Sequence, residues 1–243
     1  MKERHYFFVP NAADAQELPA EEAKHALRVL RVKAGDTLWL MDGKGRFYEA
    51  EATITNNKHC FFQLRQSLTE EKAWTGNIHL AIAPTKMMDR MEWMAEKATE
   101  VGMDRLTFLD CRFSERKTIR TDRVDNIVVA AVKQSRKPFK PMVEGMTRFA
   151  DFMAQPRGGR LFIAHCYEEV ERRDLFCELQ QTDKNEDITV MVGPEGDFAI
   201  DEVRAAVDAG AVSVSLGQAR LRTETAGLMA VTMAQLTKRK PTT

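Results

Sequence analysis

Two short stretches late in the chain carry residue types that could build a ligand site. Gly193-Pro194-Glu195-Gly196 closes an apolar run. A helix and a second strand follow, and Leu216-Gly217 then leads into Leu221-Arg222-Thr223-Glu224-Thr225-Ala226. Each stretch falls just past a strand end, where open α/β sheets keep their ligand sites. One βα unit separates them, so both loops can reach a single pocket. Glycines there expose the main chain, and Pro194 stiffens the first turn. A simple turn, with Thr223 or Thr225 capping a helix, would account for the small and hydroxylated residues. It would not account for Arg222 and Glu224 beside the cap. Dinucleotide and phosphate-loop sites fail on spacing, because the chain has neither Gly-x-Gly-x-x-Gly nor Gly-x-x-x-x-Gly-Lys.

The two stretches resemble the signature loops of the SPOUT methyltransferases, and over nearly its whole length the chain resembles the 16S ribosomal RNA (uracil-N3)-methyltransferase family. The shared residues include His25-Ala26-Leu27-Arg28-Val29-Leu30-Arg31, Gly35-Asp36 and Asp42-Gly43-Lys44-Gly45. Further on, Glu96-Lys97-Ala98-Thr99-Glu100-Val101-Gly102 and Lys133-Gln134-Ser135-Arg136 match as well. The resemblance implies a PUA-like RNA-binding β-barrel over residues 1–72 and an α/β methyltransferase domain over 73–243 that ends in a trefoil knot. It implies S-adenosyl-L-methionine as methyl donor, a homodimer, a cytoplasmic enzyme and no metal. Cofactor contacts would come from Ala164 and His165 after one strand, and from Val192, Gly193, Pro194, Glu195 and Gly196 after the next. Leu216 and Gly217, with Leu221, Arg222, Thr223, Thr225 and Ala226, would complete the pocket. One departure stands out. The family often continues Gly-Pro-Glu-Gly with Gly-Phe and a hydroxyl residue, whereas this chain has Asp197-Phe198-Ala199. Ala199 cannot partner Glu202 in a capping box, so Asp197 is expected to cap the next helix itself.

Methylating N3 of a uracil requires loss of the N3 proton and stabilisation of charge spread over O2 and O4. Arg222 is the candidate for those oxygens. Glu224 and Glu195 are the candidate proton acceptors; either could instead order its loop through backbone amides. The uridine must leave any stack to reach such a pocket. Ribose 2′-O-methylation in the same fold and a non-catalytic ribosome-assembly factor are the rival readings.

Formal net charge is zero, yet it is unevenly spread. Arg112–Lys140 carries nine basic residues against three acidic, and Glu168–Asp187 eight acidic against three basic. That split leaves room for a positive face suited to 16S ribosomal RNA or the small ribosomal subunit. Candidate contacts are Arg4, His25, Arg28, Arg31 and Lys33 in the first part, and Arg112, Arg116, Lys133, Gln134, Ser135, Arg136 and Lys137 further on. His59 and His79 read as structural. Cys60, Cys111, Cys166 and Cys177 are widely spaced, which argues against a zinc site or disulfide framework and for free, mostly buried thiols. The start, Met1-Lys2-Glu3-Arg4-His5, has no signal-peptide apolar stretch, and no run is long enough to cross a membrane.

The elements that must position these residues change character along the chain. The first seventy or so residues read as short strands (5–9, 37–41, 47–54, 60–64) with one helix over 20–30. Beyond Glu70-Glu71-Lys72 strands and helices alternate: strands at 77–82, 106–109, 161–164, 188–192 and 212–216, helices at 87–101, 122–133, 200–209 and 223–236. Such alternation predicts a parallel sheet covered on both faces. On the last helix, Leu228, Met229, Val231, Met233 and Leu236 are apolar enough for either core or dimer surface.

Overall fold

The computed structural model describes residues 4–56 and 58–241; Met1, Lys2 and Glu3, part of the start read for a leader peptide, lie outside them. The chain divides into two compact units. One comprises residues up to Lys72 together with Val129–Lys140, and the other comprises Ala73–Val128 and Pro141 onward.

In the first unit, β1 (Tyr6–Phe8), β2 (Thr37–Met41), β3 (Arg46–Thr55) and β4 (Cys60–Thr69) form one sheet in that order. β1 runs parallel to β2, and the later pairs are antiparallel. The predicted helix over 20–30 begins as α1 (Ala20–Lys24) and continues as a π-helical turn, His25–Val29. Its Ala23 and Ala26 pack on Phe7, Leu38, Leu40, Tyr48 and Phe62. At the hairpin, Asp42 accepts hydrogen bonds from Lys44 N (2.7 Å) and Arg46 N (3.1 Å), while Gly43 and Gly45 take positive φ. Phe139, from the later segment, fills the space beside Gly45 that a Cβ would occupy. β4 is longer than predicted because its polar second half pairs with the start of β3, a backbone partnership that hydropathy does not register.

The second unit is a seven-stranded, all-parallel sheet, ordered β7-β6-β5-β10-β8-β11-β9. Its strands are β5 (Ile78–Ile82), β6 (Arg105–Asp110), β7 (Met142–Arg148), β8 (Arg160–Ala164), β9 (Arg173–Asp174), β10 (Ile188–Val192) and β11 (Val212–Ser215). β10 is buried throughout, as an unbroken apolar run in a covered parallel sheet should be. The helices are α2 (Met88–Val101), α3 (Thr121–Ser135), α4 (Phe149–Ala154), α5 (Leu175–Gln180), α6 (Ile200–Asp208) and α7 (Thr223–Lys238); the last turns of α3 belong to the first unit. Side chains alternate across β5. Leu80 and Ile82 meet Gly227 of α7, where a Cβ would lie 2.8 Å from Ile82 Cδ1. Ala81 faces the opposite cluster, with Phe149, Phe152, Val203 and Ala206 of α4 and α6.

β7, α4, β9 and α5 are absent from the sequence reading. β7 is a half-exposed edge strand interrupted by Gly145, and the other three have six residues or fewer, too few to declare a period. The thiols are also less buried than expected: Cys60 and Cys111 are buried, but Cys166 and Cys177 are exposed on loops and helix ends. Within the strand order, β10 lies between β5 and β8, and β11 between β8 and β9.

His79 shows how polar groups are accommodated within this sheet. Thr107 donates its hydroxyl to Glu144 and therefore accepts from His79 Nε2 at 2.7 Å, while Thr189 lies 3.4 Å from Nδ1. Burial, and then the positive charges of Arg105 and Arg157, hold the imidazole neutral with its pKa lowered to about 3. A folded-state value below the unfolded one gives stability that is complete above the ordinary histidine pKa of about 6.5 and is lost as pH falls toward 3. Urea unfolding should show that loss, with a slope approaching about 1.4 kcal/mol per pH unit from this one proton. His79→Gln should flatten the dependence between pH 6.5 and 4; an unchanged slope would place the proton elsewhere.

Candidate functional site

Parallel pairing places Ile82, Val192 and Ala164 side by side at the carboxyl edge of the sheet, with Val214 next to Ala164. The loops that leave these strands, 83–87, 193–199, 165–172 and 216–222, therefore emerge on one edge. Two carboxylates bind the 193–199 loop to its neighbours. Glu195 Oε1 accepts from Lys86 N at 2.9 Å, and Asp197 Oδ2 accepts from Cys166 N at 2.7 Å. Tyr167 donates its hydroxyl to Phe198 O at 2.7 Å. Arg116 reaches over from the loop after β6 and donates to the carbonyls of Thr85 (3.2 Å) and Lys86 (2.6 Å).

Two local expectations are corrected. Asp197 does not cap α6; it adopts φ 67° and spends its carboxylate on Cys166 N and Phe198 N. Aspartate tolerates this left-handed region better than most residues, which is how it stands where glycine is common. Glu202 accepts from Ala199 N at 2.8 Å, so half of the capping box survives without a hydroxyl. Gly193, in turn, lacks a Cβ for the sake of its own loop: the missing atom would lie 2.9 Å from Phe198 N and 3.0 Å from its ring. Gly217 is different, with φ 116° and open space around the position of its absent Cβ. Pro194 is buried between these turns, and Gly196 is exposed.

α7 starts at Thr223 with Arg222 as N-cap residue and no side chain capping it, so neither Thr223 nor Thr225 serves as the expected cap. The first-turn N–H groups thus remain available, at the positive end of the helix dipole. Leu216, Leu221 and Thr225 are half-buried, Thr223 and Ala226 buried, and Arg222 exposed. Glu224, 7% exposed, accepts from Arg90 Nη1 at 3.3 Å. Arg90 was not anticipated; it lies in the first turn of α2, where no sequence pattern marks it. The arrangement sets an accessible cation beside a buried carboxylate at an open helix N-terminus.

His165 follows Ala164 and is buried. Ser213 donates to Glu171 O (2.7 Å) and so accepts from His165 Nε2 (2.8 Å), while Nδ1 accepts from Tyr167 N (3.2 Å). Both ring nitrogens are thereby engaged by protein in the neutral form, and burial lowers the imidazole pKa.

The basic residues have unequal freedom. In the first unit Arg28, Arg31 and Lys33 are exposed, and Arg28 edges an open cavity of about 450 Å³ with Leu27, Thr55 and Asn56. Arg4 lies 4.2 Å over Trp39, Arg136 5.8 Å from Tyr6, and half-buried His25 packs edge-on to Phe7. Lys133 is committed to both oxygens of Glu22 (2.7 and 2.8 Å), and Ser135 donates back to Ala131 O. Gln134 is exposed, and Lys137 is half-buried with its pKa lowered by burial. In the second unit Arg112 is exposed, its Nη1 3.4 Å from Asp201. Among the described residues no group of three or more potential ligands is placed to hold a metal, and no helix is long and apolar enough to cross a membrane.

Comparisons with known proteins find relatives that span nearly the whole chain. Residues 72–235 match the family model for an RNA methyltransferase domain, and residues 18–65 the model for an RNA methyltransferase PUA domain. A crystal structure of a "probable rRNA-methyltransferase" from Porphyromonas gingivalis is 37% identical, with TM-score 0.87, over 96% of this chain and 98% of that one. Ribosomal RNA small subunit methyltransferase E from Neisseria gonorrhoeae, solved bound to S-adenosyl methionine, is 27% identical, with TM-score 0.80, over 96% of this chain and 98% of that one. The protein of the same name from Rickettsia conorii is 28% identical over 90% of this chain and 89% of its own length.

The packing at residue 193 yields a direct test. Gly193→Ala should cost about 1–3 kcal/mol in urea unfolding, the usual range for overpacking. An unchanged midpoint would mean that Phe198 yields without cost.

Proposed function

Since the chain belongs to the ribosomal RNA small subunit methyltransferase E family, we propose that it transfers a methyl group from S-adenosylmethionine to N3 of a specific uridine in 16S ribosomal RNA. The observation that carries this reading is exposed Arg222, without a side-chain partner among the described residues, two positions before buried Glu224 at the uncapped head of α7. We place the boundary between an RNA-binding PUA-like part and a transferring part between Lys72 and Ala73, where the compact units also divide.

The residues suit the donor. Gly217 leaves open space at a position where positive φ favours glycine, and the first turn of α7 offers unbonded N–H groups. Ala164, Val192–Gly196, Leu216-Gly217, Leu221, Arg222, Thr223, Thr225 and Ala226 would line its pocket, with His165 as a wall. When bound, the donor supplies a methyl group on a positively charged sulfur, ready for in-line displacement. Arg222 stabilises the charge that develops on O2 and O4 as N3 loses its proton. Glu224 accepts that proton, because among the described residues its carboxylate bonds only to Arg90, at 3.3 Å. Glu195 orders the loop instead, with its oxygen already held by Lys86 N.

The exposed basic residues Arg4, Arg28, Arg31, Lys33, Arg136 and Arg112, together with exposed Gln134, are the proposed RNA contacts. Lys133, Ser135 and Arg116 support them through protein partners, with His25 and Lys137 half-buried beside them. An enzyme that acts on ribosomal RNA would work in the cytoplasm, which is the location we propose. The strand interleaving around β10 and β11 suits a trefoil knot, and a second copy of the chain would pack on α7. Leu236 (49% exposed) and half-buried Leu228, Met229 and Met233 fit that surface, whereas Val231 (1%) belongs to the core.

Incubation with labelled donor and undermethylated small subunits, followed by nucleoside mass analysis, tests the reading. Label should appear in N3-methyluridine; label in a 2′-O-methyl nucleoside would replace the reaction, and absence of both label and donor binding would favour an assembly factor. Arg222→Ala should lower kcat by about 10²–10³-fold, the loss typical of removing one such stabilising group, with folding intact. Near-normal turnover would remove Arg222 from the mechanism.

A further inference from the structure

Phe113 has no role in the chemistry above, yet it stands at the edge of the site. It is 49% exposed and stacks on no other ring among the described residues. Scattered exposed hydrophobic residues are ordinary and need no explanation by themselves. Three observations distinguish this one.

The turn that carries Phe113 is fastened. Cys111 N donates to Ser114 Oγ at 3.0 Å, and Ser114 N to Cys111 O at 3.1 Å, so Phe113 occupies the third position of a closed four-residue turn. On one side Arg112 N donates to Glu202 Oε1 at 2.9 Å, and on the other Arg116 holds the carbonyls of Thr85 and Lys86. The ring is thus held out to solvent on a braced support. Its location is the second observation: Phe113 Cβ lies 3.4 Å from where a Cβ would sit on Gly196, in the proposed cofactor loop. The third is charge. From Arg112 to Arg120 the chain carries Arg112, Arg116, Lys117 and Arg120 against Glu115 alone.

A flat apolar surface on a basic loop matches single-stranded RNA: an unstacked base covers the ring while phosphates meet exposed Arg112, Lys117 and Arg120, each of which also has a carboxylate nearby, at Asp201, Asp110 and Asp122. Resting on the methyltransferase reading, the geometry points to Phe113 as the platform on which a base of the RNA substrate stacks as it enters the site. A uridine presented for methylation must lose its stacking partners, and an aromatic face at the rim restores part of what is lost. Phe113 therefore acts as a positioning residue for RNA, distinct from Arg222 and Glu224.

Steady-state methylation of undermethylated small subunits, together with calorimetric titration of S-adenosylmethionine, tests this on the full chain. Phe113→Ala should raise KM for the subunits about tenfold or more, in keeping with the loss of one base–aromatic stack. Phe113→Leu should do the same, because it keeps apolar area but no π face; Phe113→Trp should restore KM. Donor affinity should be equal in all four proteins. An unchanged KM in Phe113→Ala overturns the proposal, as does full function in Phe113→Leu. Weakened donor binding also overturns it, by placing the cofactor's adenine on the ring. A shift in oligomeric state would overturn it too, by assigning the ring to a second copy of the chain. Wild type that neither methylates nor binds donor overturns the methyltransferase reading itself, before any substitution is made.

Discussion

Because β10 pairs with β5 on one side and β8 on the other, all three running parallel, the loop that follows it leaves the sheet between two other loops. The rest of the site depends on that adjacency. A loop flanked on both sides can be fixed by short side chains, and Glu195 and Asp197 each fasten it to one neighbour. Gly193 lets it fold over Phe198, and Phe198 is then buried among Phe149 and the α6 residues. Local fixation of this kind is what pre-organised electrostatics requires: groups held in place before a ligand arrives need not be reorganised during the reaction.

The charged groups at this edge fall into two kinds. Glu195, Asp197, Glu202 and Arg116 are spent on backbone atoms of neighbouring loops. Among the described residues Arg222 has no such commitment, and Glu224 has only Arg90. That division separates groups that build the site from groups left for chemistry. Lys133 illustrates the same rule among the basic residues, since its ion pair with Glu22 makes it part of the fold.

Much of this was legible in the sequence where one physical cause dominates. β10 is apolar because both faces are covered, and β2 and β10 begin and end at the predicted residues. Gly102 ends α2 with positive φ, as its place after the apolar helical face suggests. Legibility ended where long-range partners decide. β7 draws its hydrogen bonds from β6 and carries no alternation of its own. The reason for Gly193 lies five residues on, in Phe198, and the use of Asp197 lies across the sheet at Cys166. Arg90 and Phe113 look like ordinary residues of a helix and a loop until the strand order brings their neighbours together.

Hydrogen exchange with and without S-adenosylmethionine is the measurement that bears most directly on convergence of these loops. Donor should slow exchange together in 193–199 and in the continuous stretch formed by 216–222 and the first turn of α7, two segments brought together only by the strand order. Stoichiometric binding that protects some other part of the chain, and leaves these segments unchanged, would contradict it.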